Sequence, residues 1–130
     1  MNDIDLGHLQ IMTATNFLSR ARGLIGGPKL LKNQALWIAP CNSVHTCFMS
    51  GPIDVVFIGA DDLVIRVVHQ LKPWRFAFAM GGRSVLELAA GQAHTLGLQV
   101  GCRLFSSQIK LAQNRTRKTS QTPQAPEAES

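Results

Sequence analysis

Residues 53–68 read IDVVFI, then GADD, then LVIRVV. Two apolar runs rich in β-branched residues flank a Gly-Ala-Asp-Asp turn, which is the pattern of a β-hairpin. Ile53 to Ile58 is the first strand, and Leu63 to Val68 returns beside it. Working upstream, Gly51-Pro52 breaks the chain, and Val44 to Met49 alternates as another strand, with Val44, Thr46 and Phe48 opposite His45, Cys47 and Met49. Ala35 to Ala39 (ALWIA) is a short apolar run closed by Pro40. Ile4 to Ala14 reads as a first strand.

Between that strand and ALWIA lies a helical signal. Thr15 or Asn16 can cap a first turn, and Phe17, Leu18, Ala21, Leu24 and Ile25 then recur at helical spacing. Gly26-Gly27-Pro28 stops it. Downstream of the hairpin, Pro73 argues against a central strand in the segment from His69 to Phe78. Gly81-Gly82 turns the chain into a strand from Ser84 to Leu88, and Ala89 to Leu96 can form a helical turn. Leu98, Val100, Cys102 and Leu104 alternate as a last strand. Short strands with turns about every ten residues predict a mainly β fold, an antiparallel sandwich or barrel with one short helix after the first strand.

The bulk composition agrees with one folded domain. The chain has 130 residues, 45% of them hydrophobic and 16% charged. Residues 1–105 are expected to form that domain. Residues 106–130 are polar and basic, with little to bury, and are expected to lack order from about residue 110. No apolar run approaches the ~20 residues of a membrane span. The N-terminus has no secretory pattern, and three cysteines without paired spacing fit a reduced, cytoplasmic setting. The formal charge is +5, spread as nine Lys and Arg against six Asp and Glu up to residue 105, and four against two beyond it. A modest excess of this kind does not define a specific nucleic-acid site.

Six residues are candidates for binding: Arg22, His45, Asp54, Trp74, Arg75 and Glu87. Asp54 alternates with Val56 and Ile58, so its carboxylate falls on an apolar face and needs a donor or a cation. It either anchors a ligand or locks the fold by accepting from turn amides or pairing with an arginine. His45 and Cys47 would share a strand face, with Cys41 nearby, but no second ligand pair completes a zinc pattern. Cys47 and Cys102 read as small buried hydrophobes. Trp74 and Arg75 offer a stacking plane beside a planar anion fork, or else Trp74 packs at a sheet edge and Arg75 pairs with Asp54 or Glu87. No glycine cluster makes a phosphate loop. Nothing in the sequence assigns a catalytic residue, a metal or a cofactor.

Five segments in order, RARGLIG (20–26), CNSVHTCFMSGPID (41–54), VVFI (55–58), KPWR (72–75) and VLELAAG (85–91), resemble the motifs of the domain-of-unknown-function 192 family over roughly residues 5–105. The resemblance implies a compact jelly-roll-like β domain in its short, leaderless form, with no accepted activity, substrate or cofactor. The chain departs from the family pattern at Ser50-Gly51, where an arginine and an apolar residue are common, and at Gly101-Cys102, where Gly-Asp is usual.

These observations favour a non-catalytic binding domain, taking a small polar ligand in a cleft near His45, Asp54 and Arg75. One alternative is an accessory domain that meets a protein partner and uses its polar core residues structurally. Another is a small enzyme with Asp54 or Glu87 as acid or base, and Arg22 or Arg75 holding an anionic substrate.

Overall fold

The computed structural model describes residues 3–14, 30–47 and 49–121. In chain order the strands are β1 (Asp3–Asp5), β2 (Gln10–Ala14), β3 (Gln34–Ile38), β4 (Ser43–His45), β5 (Ile53–Ile58), β6 (Val64–Leu71), β7 (Phe76–Phe78), β8 (Ser84–Ala89) and β9 (Arg103–Phe105). Two α-helices follow the later strands, α1 (Gln92–Thr95) and α2 (Ser107–Gln121). The helix expected over residues 16–25, and Arg22 with it, lies outside the described residues.

All six residues of β5 are buried. The strand lies inside a five-stranded sheet of order β2-β3-β8-β5-β6 and pairs antiparallel with both neighbours. A strand covered on both faces needs apolar side chains at successive positions, which IDVVFI supplies everywhere but Asp54. The sheet is open, with β2 and β6 at its edges, and it does not close into a barrel. Nor is the fold antiparallel throughout, because β2 runs parallel to β3 and β1 runs parallel to β9.

Each face of this sheet has its own apolar layer. On one face Ala35, Trp37, Val56, Ile58, Leu86 and Leu88 pack under β1, β9, α1 and the start of α2. On the other, Leu36, Ile38, Val55, Phe57 and Val85 meet Val44, Ala77 and Ala79 from the β4–β7 ribbon. Full burial of a side chain the size of Phe57 or Leu86 contributes roughly 1.5–3 kcal/mol, so the two layers supply most of the driving force.

Several boundaries differ from the sequence expectation, each for a local reason. The first strand is two strands, because the Asp5 carboxylate accepts from the Gly7 amide at 2.8 Å and turns the chain. The strand expected over 44–49 ends at His45, since Thr46 hydrogen-bonds into the 72–75 turn instead of continuing a ladder. The alternation at 98–104 is only partly strand: Val100 is exposed, Gly101 turns with φ 98°, and β9 begins at Arg103.

Residues 107–121, expected to begin an unordered tail, form α2. The Ser106 hydroxyl accepts from the Ile109 amide at its start, and Ile109 and Ala112 enter the core. Gln108 fixes the helix to the edge of the sheet. Its side chain accepts from the Ile11 amide at 2.9 Å and donates to the Leu9 carbonyl at 2.8 Å, as a neighbouring strand would.

Candidate functional site

Asp54 is fully buried, and both of its carboxylate oxygens accept from backbone amides. Opposite it, β6 carries one residue too many: Ile53 pairs with Leu71 and Val55 with Val68, so His69 and Gln70 together face Asp54. This is a β-bulge, which leaves an amide without a ladder partner. Gln70 takes a left-handed conformation (φ 50°), and its N–H donates to Asp54 Oδ1 at 2.8 Å. Asp54 Oδ2 accepts from the Ala93 amide, also at 2.8 Å. Ala93 is in the first turn of α1, whose leading residue, Gly91, has no side chain with which to cap it. One carboxylate thus ties an edge bulge to the start of a helix. Among the described residues its partners are amides, as in one of the two structural expectations, and not an arginine.

Glu87 lies on the other face. Asp54 is opposite Leu88 and Glu87 is opposite Val55, and successive strand residues alternate sides, so the two carboxyls do not share a cleft. Glu87 is 1% exposed beside Leu36 and Val55, and its Oε2 finds no hydrogen-bond partner among the described residues. Burial pushes its pKa up from 4.5 to about 8. The carboxyl therefore holds its proton at neutral pH.

His45, Trp74 and Arg75 lie at one end of the β4–β7 ribbon. Thr46 is the reason. Fully buried, it donates through Oγ1 to the Lys72 carbonyl and accepts the Arg75 amide on the same oxygen at 2.9 Å. Its carbonyl accepts the Trp74 amide at 3.1 Å, and its own amide donates to the Arg75 carbonyl at 2.9 Å. Held in this way, Trp74 adopts φ 61°, a left-handed conformation that bulky residues avoid. The residue is 60% exposed. Phe76, Phe78 and Met80 follow at every second position and are exposed too. The rings of Phe76 and Phe78 have centroids 6.0 Å apart. Around this row stand His45, paired across the ribbon with Phe76, the exposed Arg75, and Arg66, whose guanidinium donates to the Phe78 carbonyl. Arg75 itself donates to the Trp74 carbonyl at 3.4 Å.

His45 and Cys47 do not share a strand face, since β4 stops at His45. Among the described residues no group of three His, Cys, Asp or Glu side chains is placed to hold a metal ion. Cys102 is a buried member of the apolar layer under β1 and β9.

A cleft elsewhere in the molecule was not legible in the sequence. A cleft of about 510 Å³ opens between the turn at 59–62, the ends of β3 and β8, and α2. Trp37 and Ser84 line it from the sheet, Asp61 and Asp62 from the turn, with Arg83 and Lys110 contributing cations. Trp37 is 2% exposed, and its Nε1–H meets no acceptor among the described residues. Asp61 and Asp62 both have left-handed backbones (φ 58° and 60°), and Asp62 accepts from the Gln113 side chain at 2.9 Å. The sequence marked Asp61-Asp62 only as a turn. Four separated segments build the cleft, so no local pattern announces it.

The model of the DUF192 family of uncharacterised proteins matches residues 2–105. This chain belongs to that family. DUF192 relatives include a UPF0127 protein of Thermococcus sibiricus, 31% identical over 99 residues, which are 71% of this chain and 62% of that protein. A UPF0127 protein of Pyrococcus furiosus is 30% identical over 103 residues, 74% of this chain and 85% of its own length. This chain thus matches less than two thirds of the Thermococcus protein's length. Among solved structures, a protein of unknown function from Novosphingobium aromaticivorans aligns with TM-score 0.65 at 23% identity, over 72% of this chain and 71% of that one. A Sinorhizobium meliloti protein gives TM-score 0.65 at 20% identity, over 72% of this chain and 78% of its own. At these identities the likeness is one of fold. The DUF192 motifs now have physical roles in this chain: Thr46 of CNSVHTCFMSGPID clamps KPWR, and Asp54 holds the bulge and the start of α1.

Proposed function

We propose that this domain is a non-catalytic binding module that takes a small polar ligand on the outer face of the β4–β7 ribbon. The observation that carries this reading is Trp74, an exposed aromatic residue fixed in a left-handed conformation by Thr46. Backbone strain of this type costs of order 1–3 kcal/mol and persists where surrounding structure over-determines it, commonly at ligand sites. Trp74, Phe76 and Phe78 offer flat apolar faces, while Arg75 and Arg66 offer charge-assisted donors. Together they suit an anion that also carries a ring, of which a mononucleotide is the simplest probe. The two buried carboxyls favour binding over acid–base chemistry, since Asp54 is engaged by two amides and Glu87 is enclosed. The family resemblance adds a jelly-roll-like arrangement of the sheets, a proposal supported by the two covered faces of the open central sheet.

The test is a titration with adenosine monophosphate followed by amide resonances. Saturable shifts are expected at Trp74, Arg75 and Phe76, weakened about tenfold in Trp74→Ala. Absence of shifts, or equal binding by the variant, would sink the reading. A second reading, a docking surface for a protein partner, is favoured by the contiguous exposure of Trp74, Phe76, Phe78 and Met80. It predicts a loss of partner association in the same variant and no response to the nucleotide.

A further inference from the structure

The cleft between the 59–62 turn and α2 is separate from the β4–β7 face and carries its own chemistry. An indole N–H can only donate, and leaving one buried without an acceptor costs about 1–3 kcal/mol. Trp37 bears that cost, among the described residues, in a buried side chain that also lines the cleft. The acceptor that Trp37 lacks is therefore one that a molecule entering the cleft can supply. The rest of the lining narrows its chemistry. Arg83 and Lys110 favour a negative group, whereas Asp61 and Asp62 favour a positive one, and neither sign prevails. Asp62 is already engaged by Gln113, which leaves Asp61, exposed at the tip of the turn, as the carboxylate for a cation. The volume of about 510 Å³ lies within the range of small-molecule sites, roughly 300–1,000 Å³.

We infer that this cleft binds a small zwitterion, whose carboxylate accepts from Trp37 Nε1–H and whose ammonium group faces Asp61. A free amino acid or the end of a short peptide has this chemistry. The carboxylate end is assigned to Trp37 because only an acceptor satisfies that donor. The ammonium end is assigned to the turn because Asp61 is exposed there while Asp62 accepts from Gln113.

The chain offers a direct reporter, since it holds only two tryptophans. In the full-length Trp74→Phe variant, the single remaining indole N–H resonance is that of Trp37. Titration with leucine should move this resonance saturably. Acetate should move it with roughly tenfold weaker affinity, as expected for losing one charged hydrogen-bonding end, and ethylammonium should leave it unmoved. Asp61→Asn, on the exposed turn, should bring leucine down to the level of acetate without altering acetate binding. Trp37→Phe should abolish the leucine response of neighbouring Ser84 and Ala39 amides. An indole resonance unmoved by leucine and acetate alike would overturn the proposal. So would a response to ethylammonium alone, or leucine affinity indifferent to Asp61→Asn. Because the reporter lacks Trp74, a failure here leaves the nucleotide titration of the β4–β7 face to stand or fall on its own.

Discussion

Asp54 and Glu87 stand on adjacent strands of one sheet, both almost completely buried, and the fold treats them in opposite ways. On the α1 face, two N–H groups converge on Asp54, one from a bulge and one from the first turn of a helix. On the ribbon face, Glu87 lies among Leu36, Val55 and their neighbours, and its Oε2 has no partner among the described residues. The difference shows that a buried carboxyl in a strand is not by itself a mark of chemistry. What matters is whether the surrounding backbone leaves amides for it. Asp54 is held by two amides, and Glu87 is a carboxylic acid that burial keeps protonated.

The strongest way to break this contrast is Asp54→Ala. It removes both acceptors, leaving the buried Ala93 amide and the part-buried Gln70 amide without them, so unfolding by urea should show a loss of roughly 3 kcal/mol. A loss below about 1 kcal/mol would mean that the two amides find other partners.

Glu87→Gln sharpens the other side. The folded carboxyl loses its proton near pH 8 and the unfolded one near 4.5. Between those values the unfolded chain has released a proton that the folded chain keeps. Wild-type stability should therefore decline as pH rises through this window, by up to about 1.4 kcal/mol per pH unit from this group. The contribution is fully present below pH 4.5 and gone above 8. The glutamine variant lacks that slope, so its advantage over wild type should grow steadily across the window in parallel denaturation curves. Parallel pH profiles for the two proteins would show that Glu87 is paired or hydrated.

A smaller effect is expected from Thr46→Val, which keeps the shape of the side chain and removes its hydroxyl. Two hydrogen bonds into the 72–75 turn are lost, and stability should fall by about 1–2 kcal/mol. The tryptophan emission should shift as Trp74 leaves its fixed orientation. An unchanged emission spectrum would show that the Thr46 backbone alone positions the ring.

Much of the central sheet was legible because its residues obey one local rule. ALWIA, IDVVFI and the Ser84–Leu88 run are largely apolar stretches bounded by turn residues, and they became β3, β5 and β8. The hairpin of β5 and β6 was legible in the same way. The failures have a common cause in contacts made far along the chain. α2 is polar through most of its length, and it is docked by Ile109, Ala112 and a glutamine that bonds to the edge of β2. The alternation of Leu98 and Val100 suggested a strand where the chain turns. Of the candidate residues, His45, Trp74 and Arg75 lie at one end of the β4–β7 ribbon, Asp54 and Glu87 are divided between two faces of the sheet, and Arg22 lies outside the described residues. Trp37 gave no signal, since an apolar residue in an apolar strand looks like core until its indole nitrogen is seen without an acceptor.

The left-handed Trp74 has a consequence for laboratory evolution. Glycine adopts φ near 61° without strain, so a library of variants selected only for resistance to heat should replace Trp74 readily, with Trp74→Gly among the favoured changes. The same library selected for ligand capture should keep the ring. The two selections would pull in opposite directions at this position, and the temperature at which they balance would measure how much stability the domain gives up to keep this aromatic side chain.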